Sequence, residues 1–267
     1  MAHVDDLEDR IALGIWMVVA LSSMVANGYA IFLLWRKKTR IIADMLVLHL
    51  CISEFFVVTW NVILRPIQWF SDVPHVSTIR LVGSEFFSAL ISQSIICISL
   101  DRLLAAGLTL KYKVIVTKQK LTFTVIVLWL LAFICALISA IDSTKSTIIW
   151  LFWSSTTITS IVLSYSYISV VLFKQNQKMR RKTSTSTQHQ FNYRIPLCIT
   201  LSYVLAMFIP DIVVVADKSL FTVWTLVIWY TNFLVDPLIY VFFRFSHKRT
   251  KRHLFVSKVF PNGCNRH

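Results

Sequence analysis

Long apolar runs separated by short polar segments dominate the pattern of this chain. A helix needs about 20 apolar residues to cross the roughly 30 Å hydrocarbon layer of a membrane. Seven runs meet that length, at residues 11–35, 42–64, 79–103, 121–141, 148–173, 193–216 and 220–243. Helices are favoured because a segment in lipid must pair its own backbone amides. We therefore predict an all-α membrane protein, with one seven-helix domain over residues 1–267.

Composition agrees with this prediction, and the charge distribution gives an orientation. Of the 267 residues, 56% are hydrophobic and 15% are charged. The net charge of +14 would favour nucleic acid as the partner of a soluble protein. Here, however, 22 of the 27 Lys and Arg lie on one side of the membrane, the side that also holds the linker between the first and second runs. The positive-inside rule then predicts an extracellular N-terminus and a cytoplasmic C-terminus, with no nucleic-acid partner. The outer side keeps Arg10, Arg65, Arg80, Lys145 and Lys218.

The segments on the cytoplasmic side suggest contacts with lipid and modifying enzymes. Residues 244–255 carry cations among apolar positions and predict a short amphipathic helix on the inner membrane surface. Residues 183–187 are all Ser or Thr and follow a basic stretch. This pattern is typical of a segment that a kinase phosphorylates, or of a solvated loop. Cys264 is a weak candidate for palmitoylation. The other cysteines lie within the spans, so no extracellular disulfide is expected.

Ionisable groups inside the spans are the first candidates for function, because burying a charge in lipid is costly. The carboxylic acids are Glu54, Glu85, Asp211 and Asp236. The buried amides are Asn27, Asn61 and Asn232. Neutral amides often only join helices, which is the reading favoured for Asn61.

Several spans carry sequence motifs of one receptor family. The seventh reads TNFLVDPLIYVFFRF and the third ends ISLDRLLAAG. The second has Glu54 in LVLHLCISEFF, the first has Asn27 in ANGYAIFLL, the fourth has Trp129 and the sixth has Pro210. Together, in this order, these motifs resemble the rhodopsin-like (class A) G-protein-coupled receptors over nearly the entire chain.

The resemblance implies an activation switch at the cytoplasmic end of the third helix. In relatives the pair matching Asp101 and Arg102 holds that helix closed, and on activation the arginine meets the G protein and two tyrosines. Tyr240 matches one of them, and Tyr167 or Tyr165 the other. A simple boundary marker is the alternative reading of the pair. Gln190 stands where many relatives have an acid, so we expect a weak lock and some ligand-independent signalling.

The two prolines of the family pattern are expected to act as hinges. Pro210 in the sixth helix and Pro237 in the seventh each remove one backbone hydrogen bond and bend the helix. The alternative is that a membrane helix tolerates these prolines without any functional role.

The resemblance also implies that Glu54 and Asp236 face one another, with Asn27 and Asn232 nearby. Two adjacent carboxylates cannot both ionise cheaply, so the pair should share a proton or hold a sodium ion. Ile91 replaces the family's Ser or Thr at the sodium site, which favours the proton. No other metal is expected.

In relatives the ligand binds between the outer halves of the helices. The matching positions here include Ser84, Glu85, Phe208, Asp211 and Tyr230. If both acids face the pocket they favour a cationic or peptide ligand, although Glu85 could instead pair with a neighbouring helix. Retinal is excluded as a cofactor because residues 220–243 contain no lysine to bind it.

The resemblance predicts a plasma-membrane receptor that passes the signal of an extracellular ligand to heterotrimeric G proteins, and not an enzyme. Kinases and arrestin are further expected partners. Within this family the sequence most resembles the melanocortin, adenosine, cannabinoid and lysophospholipid receptors. However, Leu64, Ser77 and Leu81 replace the acids that bind calcium and peptide in melanocortin receptors. A seven-helix transporter or channel, and an atypical receptor that does not signal, are the alternatives.

Overall fold

The protein is described by a computed structural model. It covers residues 7–38, 41–70, 75–108, 111–141, 143–180, 194–208, 210 and 223–259. Within these ranges the chain forms helices and connecting turns and no strand, as the apolar pattern predicts. The helices are α1 (Leu7–Trp35), α2 (Ile42–Phe70), α3 (Val76–Leu108), α4 (Tyr112–Ile115), α5 (Lys118–Ile141), α6 (Ser143–Arg180), α7 (Arg194–Tyr203) and α8 (Val223–Val259).

Five of these helices contain a stretch that is long and apolar enough to cross a membrane. The stretches are Ile11–Trp35, Ile42–Gln68, Val76–Leu108, Lys118–Ile141 and Trp224–Phe242. The predicted fifth span, 148–173, lies within α6. The predicted sixth span, 193–216, reaches beyond the described residues. The apolar helices indicate a membrane protein.

Helix α2 extends further than the sequence predicted. It continues past residue 64 to Phe70, with Pro66 inside the helix. Membrane helices tolerate proline because neighbouring groups can satisfy the freed carbonyl. As a result Arg65 and Gln68 are helical residues.

Helix α8 also differs from the prediction, because it runs unbroken from Val223 to Val259. No Gly or Pro lies between residues 243 and 255 to end it. The structure therefore shows no separate amphipathic helix at residues 244–255. At 1.5 Å per residue α8 is about 55 Å long, which exceeds the hydrocarbon thickness.

Helix α3 is the centre of the bundle, since it packs against α2, α5, α6 and α7. Helix α1 packs against α2 and α8, and α7 packs against α8. Large apolar side chains of α5, such as Phe123, Leu130 and Phe133, point outward. The interior, in contrast, holds several polar groups. This arrangement is typical of a bundle surrounded by lipid.

Helices α2 and α3 approach closely at Gly83. A Cβ at this position would overlap the indole of Trp60. The same indole donates through Nε1 to the Arg80 carbonyl oxygen, at 3.3 Å. Glycine at residue 83 therefore allows these two helices to pack together near Trp60.

Candidate functional site

The four polar residues predicted to meet in the core are all buried. Asn27, Glu54 and Asn232 are 0% exposed and Asp236 is 2% exposed. They come from α1, α2 and α8, so three helices supply them. The structure brings together this predicted set.

Hydrogen bonds link these residues to the surrounding backbone and to α7. The Asn27 amide donates to the Phe233 carbonyl oxygen at 2.8 Å, which joins α1 to α8. The Ser202 hydroxyl of α7 donates to Asn232 Oδ1 at 2.6 Å. Asn232 Nδ2 in turn donates to Asp236 Oδ2 at 3.5 Å. Ser202 was not identified from the sequence, because a single serine in an apolar run carries no signal of its partner.

Glu54 and Asp236 form what we call the buried acid pair. Their carboxyl groups are close enough to interact electrostatically and to exchange a hydrogen bond. With both groups ionised, no described residue donates to either oxygen of Glu54 or to Asp236 Oδ1. An ionised carboxylate only accepts, whereas a protonated one can donate. The pair therefore needs a proton or a bound cation between its oxygens.

The oxygens around the buried acid pair suit a small hard cation as well as a proton. The Asn27 Oδ1 atom is also buried without a donor from the described residues. Such cations prefer carboxylate and amide oxygens. Ile91 is 1% exposed and its side chain has no oxygen, so it adds no ligand to this set.

Asp101 and Arg102 form an ion pair near the C-terminal end of α3. Arg102 Nε donates to Asp101 Oδ2 at 3.0 Å, and Arg102 Nη2 bonds to the same oxygen. The Tyr112 hydroxyl of α4 donates to Asp101 Oδ1. Burial, followed by this hydrogen bond, raises the pKa of Tyr112. We call Asp101 and Arg102 the inner ion pair, after the predicted orientation of the chain.

Tyr112 was missed in the sequence analysis, although it lies between two lysines. The structure places two of the predicted tyrosines in different surroundings. Tyr240 is buried in an apolar cluster with Leu34 and Cys51 of α1 and α2. The Tyr167 side chain is half exposed and lies beside Gly107, near the end of α3.

The two predicted hinges have different surroundings. Pro237 is buried within the continuous helix α8. Pro210 follows a π-helical turn, Val204–Phe208, at the end of α7. Such turns are frequent at functional sites, and a wider turn can accommodate the proline ring and the preceding carbonyl, which has lost its N–H donor.

A cavity of about 420 Å³ opens between α2, α3, α5, α6, α7 and α8. We call it the outer cavity, because it lies at the end of the bundle that is predicted to face outward. Ser84, Glu85 and Tyr230 line it, as predicted. The Ser84 hydroxyl donates to Asn61 Oδ1 at 3.2 Å, so Asn61 joins α2 to α3. The Phe208 side chain, Asp211 and Cys264 lie outside the described residues.

Basic residues also line the outer cavity, although none was predicted there from the sequence. The structure places Arg65 and Arg80 in its lining, together with Gln68. The Arg65 guanidinium lies over the Trp16 ring, 5.5 Å from its centroid. Arg80 Nε donates to Gln68 Oε1 at 2.5 Å. The continuation of α2 through Pro66 brings Arg65 and Gln68 to this position.

A second polar group in the core centres on His49. Trp129 Nε1 donates to His49 Nε2 at 2.6 Å, and His49 Nδ1 lies 2.6 Å from Ser94 Oγ. Because an indole N–H only donates, Nε2 must accept and the proton of the neutral ring is on Nδ1. Ser94 then donates to the Leu90 carbonyl oxygen at 2.6 Å. This His49 relay ties α2, α3 and α5 together. From the sequence only Trp129 was noticed.

Comparison of the chain with models of protein families finds no match, and comparison with curated proteins finds none either.

Proposed function

We propose that this chain is a rhodopsin-like (class A) G-protein-coupled receptor. The observation that carries the proposal is the arrangement along α3. One end of this helix lines the outer cavity and the other carries the inner ion pair. Arg80 and Arg102 are 22 positions apart in the chain, which is about 33 Å along a helix. The resemblance of the sequence motifs supports the same function.

The proposed mechanism starts with the ligand in the outer cavity. The cavity is lined by Tyr203 of α7 and by Tyr230 of α8, so a ligand can shift these helices against α3. The π-helical turn before Pro210 provides a place where α7 can bend. Movement of α7 and α8 would also disturb the chain of hydrogen bonds from Ser202 to Asp236.

The inner ion pair is the proposed output of this movement. In the described state Asp101 holds Arg102 at the end of α3, and Tyr112 adds a hydrogen bond to the same carboxylate. Opening of the pair would release the guanidinium towards a heterotrimeric G protein. Gln190 stands where an acid would reinforce this ion pair, so we expect the pair to open easily and to give some signal without ligand.

The buried acid pair is proposed to couple the two ends. A shared proton halves the negative charge of the pair in the closed state and relieves the repulsion between its two carboxylates, and a sodium ion held by Glu54, Asp236 and Asn27 would do the same. The proposed setting is the plasma membrane, with seven spans, the N-terminus outside and the basic segments inside. Kinases and arrestin remain proposed partners at the Ser/Thr segment 183–187.

The test is to measure cAMP and calcium in cells that express the full chain at the surface. We expect a basal signal that Arg102→Ala abolishes. Arg36→Ala is the matched control, because Arg36 is an exposed cation that contacts the Phe32 ring 5.2 Å away. Equal signals from the protein and from Arg102→Ala would contradict the proposal.

The buried acid pair also suits a transporter or channel, in which intramembrane acids carry ions. Electrical recording from the same cells separates the two functions. Ion currents that persist in Arg102→Ala but disappear in Glu54→Gln would favour transport over signalling.

A further inference from the structure

The outer cavity contains two guanidinium groups on facing helices. Arg65 belongs to α2 and Arg80 to α3, and both line the cavity. Both lie near the Tyr230 hydroxyl, and the charge of Arg65 lies within electrostatic range of Arg80. Two like charges held together in a half-buried site are unfavourable by themselves. An anion between them would relieve this repulsion.

The guanidinium of Arg80 is oriented for such a role. Its Nε atom is bonded to Gln68 Oε1, at 2.5 Å. The described residues provide no acceptor for its two Nη groups. Paired N–H groups of arginine match the two oxygens of a carboxylate or a phosphate. Arg65 is held in place by the indole of Trp16 beneath it.

Among the described residues that line the cavity, basic side chains outnumber acidic ones. Glu85 is the one carboxylate in this lining, against two arginines. A cationic ligand would therefore enter a site of net positive charge. This balance disfavours the cationic ligand that the sequence alone suggested.

The remainder of the cavity is lined by more apolar than polar surface, with five serines among the lining residues. Val57, Ile91, Leu226 and Phe233 line it, and each of them belongs to the buried core. The volume of about 420 Å³ lies within the usual range for small-molecule sites. The cavity thus combines a basic end with an apolar body.

We propose that this cavity binds an amphiphile with an anionic head, either a carboxylate or a phosphate, whose head contacts Arg80 and Arg65. The apolar part of the ligand packs against Phe233 and Leu226. The inference rests on the proposed function in that it names the ligand class of the same receptor site. Arg80 supplies the paired hydrogen bonds, and Arg65 adds a second positive charge.

The experiment uses the purified full chain in lipid nanodiscs and four probes that share one apolar group. The probes are phenylbutyrate, phenylbutyl phosphate, phenylbutanol and phenylbutylamine. The shift of the thermal unfolding midpoint with probe concentration gives the affinity. We expect both anions to stabilise the protein, and the alcohol and the amine to bind at least about tenfold more weakly, as loss of a charge-assisted hydrogen bond implies.

Variants separate a specific site from partition into the lipid. Arg80→Gln should weaken the binding of both anions about tenfold or more, and Arg80→Lys should restore part of it because the charge remains. Arg36→Gln removes a cation at an exposed site and should leave the affinities unchanged. Glu85→Gln should keep or strengthen anion binding.

Two results would overturn the inference. One is stronger binding of the amine that is lost in Glu85→Gln. The other is an anion affinity that Arg80→Gln leaves unchanged. Absence of anion binding in both the protein and Arg80→Gln counts as the same result. These measurements need no G protein, so a failed proposal of receptor function would appear separately, as an unchanged cellular signal in Arg102→Ala. Comparison of the phosphate and carboxylate probes identifies the head group.

Discussion

The His49 relay gives a quantitative test of how the core is held together. Trp129, His49 and Ser94 form hydrogen bonds of 2.6 Å between three helices. His49 is buried, so solvent water does not readily replace a lost partner. His49→Leu removes two interhelical hydrogen bonds and leaves the Trp129 N–H without its acceptor.

The expected size of the effect follows from the membrane setting. Interhelical hydrogen bonds in membrane proteins contribute about 0.6 kcal/mol on average and at most about 1.7. Loss of two such bonds should lower the free energy of unfolding by about 1–3 kcal/mol. Trp129→Phe removes one of them and should cost about 1 kcal/mol, apart from any loss of packing. Ser94 keeps its bond to the Leu90 carbonyl oxygen in both variants.

A double-mutant cycle isolates the bond between His49 and Trp129. Unfolding of each purified variant is followed in mixed micelles by denaturant titration. We expect a coupling energy of about 1 kcal/mol between His49→Leu and Trp129→Phe. Trp35→Phe is the control for loss of an indole, because Trp35 is 66% exposed. Strictly additive losses in the cycle would refute the relay and the tautomer assigned to His49.

Three further predictions address the acid pair, the helix contact and the switch. Glu54→Gln should change the free energy of unfolding by less than about 1 kcal/mol, since a neutral amide can donate to Asp236, whereas Glu54→Ala should cost about 1–3 kcal/mol by leaving a buried carboxyl without its partner; equal losses in thermal unfolding would contradict the shared proton. Gly83→Ala should cost about 1–3 kcal/mol in the same assay because the methyl group overlaps Trp60, and an unchanged midpoint would show that the helices are further apart. Tyr112→Phe removes one hydrogen bond from the inner ion pair and, if the proposed function holds, should raise basal cAMP or calcium signals up to about tenfold; a signal unchanged at equal surface expression would exclude a role for this hydroxyl.

Part of the candidate site could be predicted because buried charge is rare in apolar helices. Glu54 and Asp236 stood out in the sequence for that reason, and the structure places their carboxyl groups together. The prediction that a cationic ligand would be favoured depended on Glu85 and Asp211. It could not take account of Arg65, because the predicted second span ended at residue 64, before this arginine.

The sequence alone determined that the chain folds into helices and which stretches can face lipid. Both properties are local, since a backbone in hydrocarbon must bond within its own segment and apolar length is read directly from the chain. Only the tertiary structure decided the partners: Tyr112 with Asp101, His49 with Trp129, and Arg65 beside Arg80. Each helical residue rotates the side-chain direction by about 100°, so the meeting of groups on different helices depends on the rotation and register of both. No local pattern records those two quantities, and packing of the whole bundle sets them.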